Sequence, residues 1–272
     1  MADALTFSPL LSRALIAVGG PDWRGFLQGL ITQDVETLAP GEIRFGALLT
    51  PQGRLLYDLF VVGREEGCWL DVGVEHRAAI VQRLSMYRLR AKVEIAVVDL
   101  PIAAAFGPGS TQAGFVPDPR LPALGWRAYG AVVEGSEQTY DAHCLGLGVP
   151  GPADWGSDKT YPIEADFDLL NGIDFHKGCY VGQETTSRMK RRGQIKSRML
   201  PIAFDGPGPA IGADVLAGDL RAGEVLSVGR GRAMALVRLD RARGAALTVD
   251  GRPATLQAPS WMPATAASPP RA

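Results

Sequence analysis

Residues 161–198 read YPIEADFDLLNGIDFHKGCYVGQETTSRMKRRGQIKSR, and the placement of the rest of the 272-residue chain turns on this stretch. Its centre is the octapeptide Lys177-Gly178-Cys179-Tyr180-Val181-Gly182-Gln183-Glu184. Cys179 has Lys177 two positions before it, and Arg188, Lys190, Arg191 and Arg192 follow. Neighbouring cations favour a thiolate over a thiol, the form that acts as nucleophile or metal ligand. Gly178 and Gly182 let the backbone turn sharply or approach a ligand closely. Gln183 and Glu184 suit the start of a helix, whose N-terminus would favour a thiolate further. A lone cysteine also reads as a small buried hydrophobe. At this point both readings stay open.

Familiar cysteine chemistry lacks its partners. His176 lies three residues before Cys179, but no third group is evident to orient it as a base. Cys68, Cys144 and Cys179, with His76, His143 and His176, are scattered without the spacing of a zinc site, so no permanently bound metal is expected. At most, Cys179 provides one ligand to something transient. The flanks are charged. Upstream stand Glu164, Asp166, Asp168 and Asp174. A buried carboxylate accepts two N–H donors from a flat heterocycle such as a pterin, while the same acids with Ile163, Phe167 and Leu170 suit an amphipathic helix. Downstream, Arg188, Lys190, Arg191, Arg192, Lys196 and Arg198 place six cations in eleven residues with no acid among them. Such a run reads as a solvated face or as an anion site for a polyglutamate tail, a phosphate or RNA.

Working outward, the N-terminal part alternates strands and helices. Ala14–Val18 reads as a strand, Gly19-Gly20-Pro21 as a turn into a helix, and Trp23, Phe26, Leu27, Leu30 and Ile31 as that helix's apolar face. Two β-rich runs, 44–49 and 54–62, flank Pro51-Gln52-Gly53, a hairpin signature. A strand at 68–72, a helix at 75–89 and a strand at 92–98 follow, which implies an α+β domain. The run 101–106 reads as a buried strand, and 107–125 and 146–160 as irregular. From Arg198 onward short apolar runs at 199–204, 215–216, 223–228, 233–239 and 246–249 suit a small antiparallel barrel or sandwich. The expected division is 1–100, 101–197, 198–260 and a tail at 261–272.

Bulk properties exclude several classes. Formal net charge is -1, so no global field draws the chain to nucleic acid or membrane. Residues 1–7 lack the basic start and apolar run of a secretory signal, and no segment approaches 18 uninterrupted apolar residues. Three cysteines without a CxxC pair suit a reducing compartment, and the cytoplasm is the expected location.

KGCYVGQE at 177–184, followed by Arg188 and Arg192-Gly193, resembles the signature of the YgfZ proteins, relatives of the glycine-cleavage T-protein. FLQGLITQDV (26–35), LLTPQGRLLYDLF (48–60), YRLRAKVEI (87–95) and GEVLSVG (223–229) with the following ALVRL resemble further family segments in the expected order. The resemblance implies α+β domains of ferredoxin-like character around a central cavity, plus a C-terminal antiparallel β-barrel. It implies tetrahydrofolate or a derivative as cofactor, with a binding set of Glu164, Lys177, Gly178, Tyr180, Gly182, Gln183, Glu184, Arg188 and Arg192. Glu164 matches the T-protein carboxylate that holds the pterin. Asp58 resembles the position of the T-protein's catalytic aspartate, and Cys179 corresponds to the YgfZ cysteine. The family's mitochondrial counterparts serve late iron–sulfur cluster assembly. The implied function is therefore a folate-binding accessory role in assembly or repair of iron–sulfur clusters, including those of tRNA-modifying enzymes, with Cys179 as a transient ligand. Partners would be iron–sulfur assembly proteins or client enzymes, with no membrane and no direct nucleic-acid contact. An aminomethyl or other one-carbon transferase is the alternative, and a tRNA-binding module using 188–198 a third. One departure stands out: Cys144-Leu145-Gly146-Leu147-Gly148-Val149-Pro150 begins with cysteine where relatives tend to have arginine.

Overall fold

The computed structural model describes residues 5–109, 113–193 and 195–266. By its internal contacts the chain forms two compact units, one of residues 1–140 with 170–183 and the other of 141–169 with 184–272. These limits do not coincide with cuts at 100, 197 and 260. Each unit is discontinuous in sequence, because the 141–169 stretch interrupts the first.

In the first unit the chain runs β1 (Thr6–Pro9), β2 (Arg13–Gly19), α1 (Trp23–Gln28), β3 (Ile43–Leu49), β4 (Leu55–Arg64) and β5 (Gly67–Gly73). It continues through α2 (Arg77–Arg88), β6 (Glu94–Val98), β7 (Ile102–Phe106), β8 (Phe115–Pro117) and β9 (Trp126–Tyr129). Two antiparallel sheets result, one in the order β3-β4-β5-β2-β6 and the other β1-β7-β9-β8. The hairpin expected at Pro51-Gln52-Gly53 joins β3 to β4, with Gly53 at φ 84° and its N–H donating to Thr50 O. Side chains alternate across the five-stranded sheet with the period of two that a strand imposes. Ile16, Val18, Leu59, Val61, Leu70 and Val72 point to one face, where Leu27 of α1 and Ile80 and Leu84 of α2 cover them. Each such side chain stabilises the fold by about 1.5–3 kcal/mol. The opposite face carries Arg13, Asp58, Phe60 and Asp71.

Helix α1 is shorter than its apolar periodicity suggests, since Gly29 ends it and Leu30 and Ile31 leave it still buried. Strands β8 and β9 were hidden by the glycines and prolines of 107–125 and by the short length of 126–129.

The second unit contains most of α3 (Glu137–Leu147), then α4 (Pro152–Trp155), α5 (Gln183–Arg192), β10 (Ser197–Phe204), β11 (Asp214–Ala217) and β12 (Leu220–Val228). It ends with β13 (Arg232–Arg238), α6 (Leu239–Ala242), β14 (Leu247–Val249) and β15 (Arg252–Leu256). The six strands close into a barrel in the order β10-β13-β12-β11-β14-β15, with Ile202 of β10 opposite Leu256 of β15. Leu200, Ile202, Val215, Val225, Val237 and Val249 fill its interior. Trp261 and Met262, read from sequence as part of a tail, belong to this unit's packing: Met262 is buried and the Trp261 indole N–H donates to Leu147 O. Among the described residues no helix is long and apolar enough to cross a membrane.

Candidate functional site: an anchored cysteine loop and two buried ion networks

Residues 170–183 return from the second unit's sequence neighbourhood to complete the first unit. Their attachment begins at Thr32, whose hydroxyl donates to Gly172 O at 2.6 Å and accepts from Ala47 N–H at 2.8 Å. Asp174 N–H donates to Thr32 O, and Asp174 Oδ1 accepts from the His176 and Lys177 N–H groups, which turns the chain. Lys177 then sends its ammonium under the end of α1. Nζ donates to Gln28 O at 2.9 Å, Ile31 O at 2.8 Å and Gln33 O at 2.8 Å. An ammonium has three donors, and all three are used here. Burial pushes the Lys177 pKa down to about 8, against the pull of Asp34, Asp174 and Glu36.

Past the cysteine the chain is held again. Tyr180 is buried, Val181 packs on the first unit's core, and Val181 N–H donates to Gly29 O at 3.2 Å. Gly182 sits at φ 83° against the β3–β4 turn, where a Cβ would lie 2.6 Å from Thr50 O and 2.9 Å from Leu49 Cβ. No L side chain fits there. Gly178 differs, because a Cβ on it would meet nothing within 4 Å. Within 177–183 only Gly178 and Cys179 are exposed. The free thiol of Cys179 therefore stands in solvent and not in the core, unlike Cys68, which is buried and whose thiol pKa burial raises far above the usual range. Gln183 opens α5 as expected, with Glu184 in its first turn.

Asp58 belongs to a buried ion network on the far face of the five-stranded sheet. Its Oδ2 accepts from Arg13 at 2.7 Å, and Arg13 also holds Asp71 at 2.6 Å. Arg127 of β9 reaches Asp71 at 2.6 Å, while Arg120 holds Asp118 at 2.8 Å. The guanidinium of Arg127 lies 3.9 Å from the centre of the Phe60 ring. Burial pushes the Asp71 and Asp118 pKa values up, but the arginines outweigh it and hold both carboxyls below the usual range. Sequence reasoning missed Arg13, Asp71, Asp118, Arg120 and Arg127. A signal existed: Asp71 stands inside the apolar strand CWLDVGV, where a charge needs a buried partner.

Glu164 lies in the second unit, where its Oε2 accepts from Tyr161 N–H at 3.0 Å and its carbonyl from Met199 N–H. The stretch around it is not the amphipathic helix its spacing suggests. It is a run of turns, with Asp166 at φ 61° interrupting any helix. Asp166 is fully buried and accepts from Arg198 at 2.6 Å, and Arg198 also bonds Asp168 at 3.0 Å and Ile163 O at 2.9 Å. Burial pushes the Asp166 pKa up to about 7 despite Arg198. Lys190 pairs with Asp168 at 3.3 Å. The basic run is thus divided: Arg198 is a core residue and Lys190 is paired, whereas Arg188, Arg191 and Lys196 are exposed. The Arg192 side chain lies outside the described residues. Cys144 is half-buried in α3. Among the described residues no group of His, Cys, Asp and Glu side chains is arranged to hold a metal ion.

Residues 196–264, the barrel and its flanks, match the family described as CAF17, C-terminal beta-barrel domain. The protein named iron-sulfur cluster assembly factor IBA57 homolog, mitochondrial, from Neurospora crassa is 34% identical over 243 residues, which cover 75% of this chain and 55% of that protein. The chain thus spans about half the length of that relative. The mouse protein (Mus musculus) named iron-sulfur cluster assembly factor IBA57, mitochondrial, is 31% identical over 249 residues, covering 77% of this chain and 69% of its own. Among solved structures, the glycine cleavage system aminomethyltransferase T from Bartonella henselae aligns with a TM-score of 0.74 over 98% of this chain and 88% of that one, at 16% identity. That likeness shows an aminomethyltransferase-type α+β fold ending in a closed six-stranded barrel.

Proposed function

Because the chain belongs to the family of the iron–sulfur cluster assembly factors IBA57, we propose that it supports assembly or repair of iron–sulfur clusters in a subset of enzymes, tRNA-modifying ones included. Cys179 is the working group in this reading. The observation that carries it is an exposed thiol between neighbours that are fixed on both sides, Lys177 to α1 and Gly182 to the β3–β4 turn. Thiolates ligate such clusters, and a single thiolate cannot hold a whole one. The remaining ligands come from a second molecule, an assembly protein or a client enzyme, so the cluster is cargo passing through a shared site. The compartment that suits three free thiols is a reducing one, in our reading the cytoplasm; the relatives carry mitochondrial in their names.

Tetrahydrofolate or a derivative is the cofactor of this reading. Glu164 suits a pterin: the Tyr161 N–H fixes the carboxylate's orientation, and a carboxylate accepts further donors beyond that one. Exposed Arg188, with Arg191 and Lys196, suits the folate's carboxylate end. A bound reduced folate supplies one-carbon or redox chemistry of its own. Titration calorimetry with tetrahydrofolate should show binding that Glu164→Gln weakens by roughly tenfold or more, the loss of a charge-assisted hydrogen bond. Replacing Cys179 by Ala should abolish support of a cellular iron–sulfur enzyme while leaving thermal stability unchanged. Full enzyme activity with Cys179→Ala would sink the role of the thiol. The transferase reading requires Asp58, whose Oδ2 is held by Arg13; loss of function in Asp58→Asn with function intact in Cys179→Ala would favour it.

A further inference from the structure

We infer that Lys177 is a positioning residue, an internal clamp that fixes where the Cys179 thiol stands. This deepens the reading above and rests on Cys179 being the working group.

Gln28 ends α1, whose last carbonyls the helix leaves without intrahelical partners, and Ile31 and Gln33 lie in the turns that follow it. Side-chain ammoniums satisfy such groups. Here the three oxygens converge on one Nζ at 2.8–2.9 Å. An ammonium directs three donors from one point, whereas a planar guanidinium directs its donors as a fork. The arrangement therefore selects lysine over arginine. The ammonium also lies 5.2 Å from the centre of the buried Tyr180 ring, so the residues on both sides of Gly178-Cys179 meet below them.

The geometry is that of a pedestal. One foot is Lys177, tied to the α1 end through side chain and not backbone. The other is Tyr180-Val181-Gly182, tied by core packing, by the Val181 N–H to Gly29 O bond, and by close packing of Gly182 on the β3–β4 turn. The feet stand on two neighbouring segments of the first unit, residues 28–33 and 49–53. The exposed span between them is two residues long, too short to move independently of its ends. Cutting the Lys177 side-chain bonds leaves that side held only through Asp174 and Thr32, while the other stays fixed. A ligand that must meet a thiol at a set distance needs this kind of preorganisation, which comes from residues packed beneath the site.

The test uses the full-length protein with Lys177→Met, which keeps the side chain's length and removes every donor. Amide hydrogen exchange of residues 28–33 and 177–181 should accelerate by roughly tenfold or more, given the size of charge-assisted hydrogen bonds to buried carbonyls. Exchange in the barrel should not change. The iodoacetamide alkylation rate of Cys179, followed by mass spectrometry under native conditions, should shift with it. Support of a cellular iron–sulfur enzyme should fall as in Cys179→Ala. Lys177→Arg should restore neither the slow exchange nor the alkylation rate, although it keeps the charge. Should Lys177→Met fail to fold, Lys177→Arg alone decides, because wild-type exchange and alkylation in that variant overturn the clamp. The same overturning result is unchanged exchange and alkylation in Lys177→Met. If alkylation shifts with Lys177 while Cys179→Ala leaves the iron–sulfur enzyme fully active, the clamp stands and the proposed function falls.

Discussion

Asp166 illustrates how a single carboxylate can set a pH dependence. It is fully buried and faces Arg198, which is shared with Asp168, itself the partner of Lys190, and burial lifts its pKa up to about 7. The ordinary carboxylate value is about 4. Between these two values the folded chain keeps a proton that the unfolded chain releases. Stability contributed by this group is therefore full at low pH and is lost as pH rises through about 7. Asp166→Asn keeps the shape and removes the titration. We expect the urea stability of wild type relative to Asp166→Asn to decline between about pH 4 and about pH 7 and to level off above that, and parallel profiles would refute the assignment. Asp166 was visible in the sequence only as one of four acids. Its burial was not, because 163–170 reads equally as a helix with a wet acidic face, whereas in the fold Asp166 takes φ 61° and its partner Arg198 comes from a strand some thirty residues on.

At the scale of elements, the β3–β4 hairpin and the cysteine loop make one piece. Two family-like segments far apart in sequence meet because Gly53 closes the turn and Gly182 lies against it. The two glycines of the octapeptide consequently do different work. Gly182→Ala forces a Cβ to 2.6 Å from Thr50 O at a positive φ, and we expect a loss of about 2 kcal/mol or more in chemical denaturation. Gly178→Ala meets open space, so its unfolding midpoint should match wild type within about 0.5 kcal/mol. Equal destabilisation by the two changes would contradict this division. The hairpin itself was legible from Pro51-Gln52-Gly53, and the strands and helices of 13–98 from their periodicity, because those signals are local. The ion network of Arg13, Asp58, Asp71, Asp118, Arg120 and Arg127 was not, since its members come from both sheets of the unit and only Asp58 carried a family resemblance.

For the molecule as a whole, the barrel depends on its last strand. β15 pairs with both β10 and β14 and so closes the cylinder. A chain ending at residue 250 would leave β10 and β14 with open edges and the apolar interior of Leu200, Ile202 and Leu247 exposed. We expect such a chain to be cleaved rapidly by protease within 197–250, and protease resistance equal to wild type would show that closure is dispensable. The run 252–256 escaped sequence reading because Arg252-Pro253 interrupts its apolar pattern and its strand identity comes from its neighbours. By itself the sequence determined the α+β class, a C-terminal antiparallel barrel or sandwich, and the hairpin, all of which follow from short-range patterns of polarity and from glycine and proline; the choice of barrel and the weight given to the octapeptide came from resemblance to a known family. Only the tertiary structure decided that Lys177 binds carbonyls, that Gly182 is packed and Gly178 free of neighbours, that Arg198 is a core residue, and that Cys179 alone of the three cysteines stands exposed. Those outcomes depend on which distant backbone atoms and charges surround each residue, and burial and pairing are properties of that surrounding, not of the residue or its neighbours in the chain.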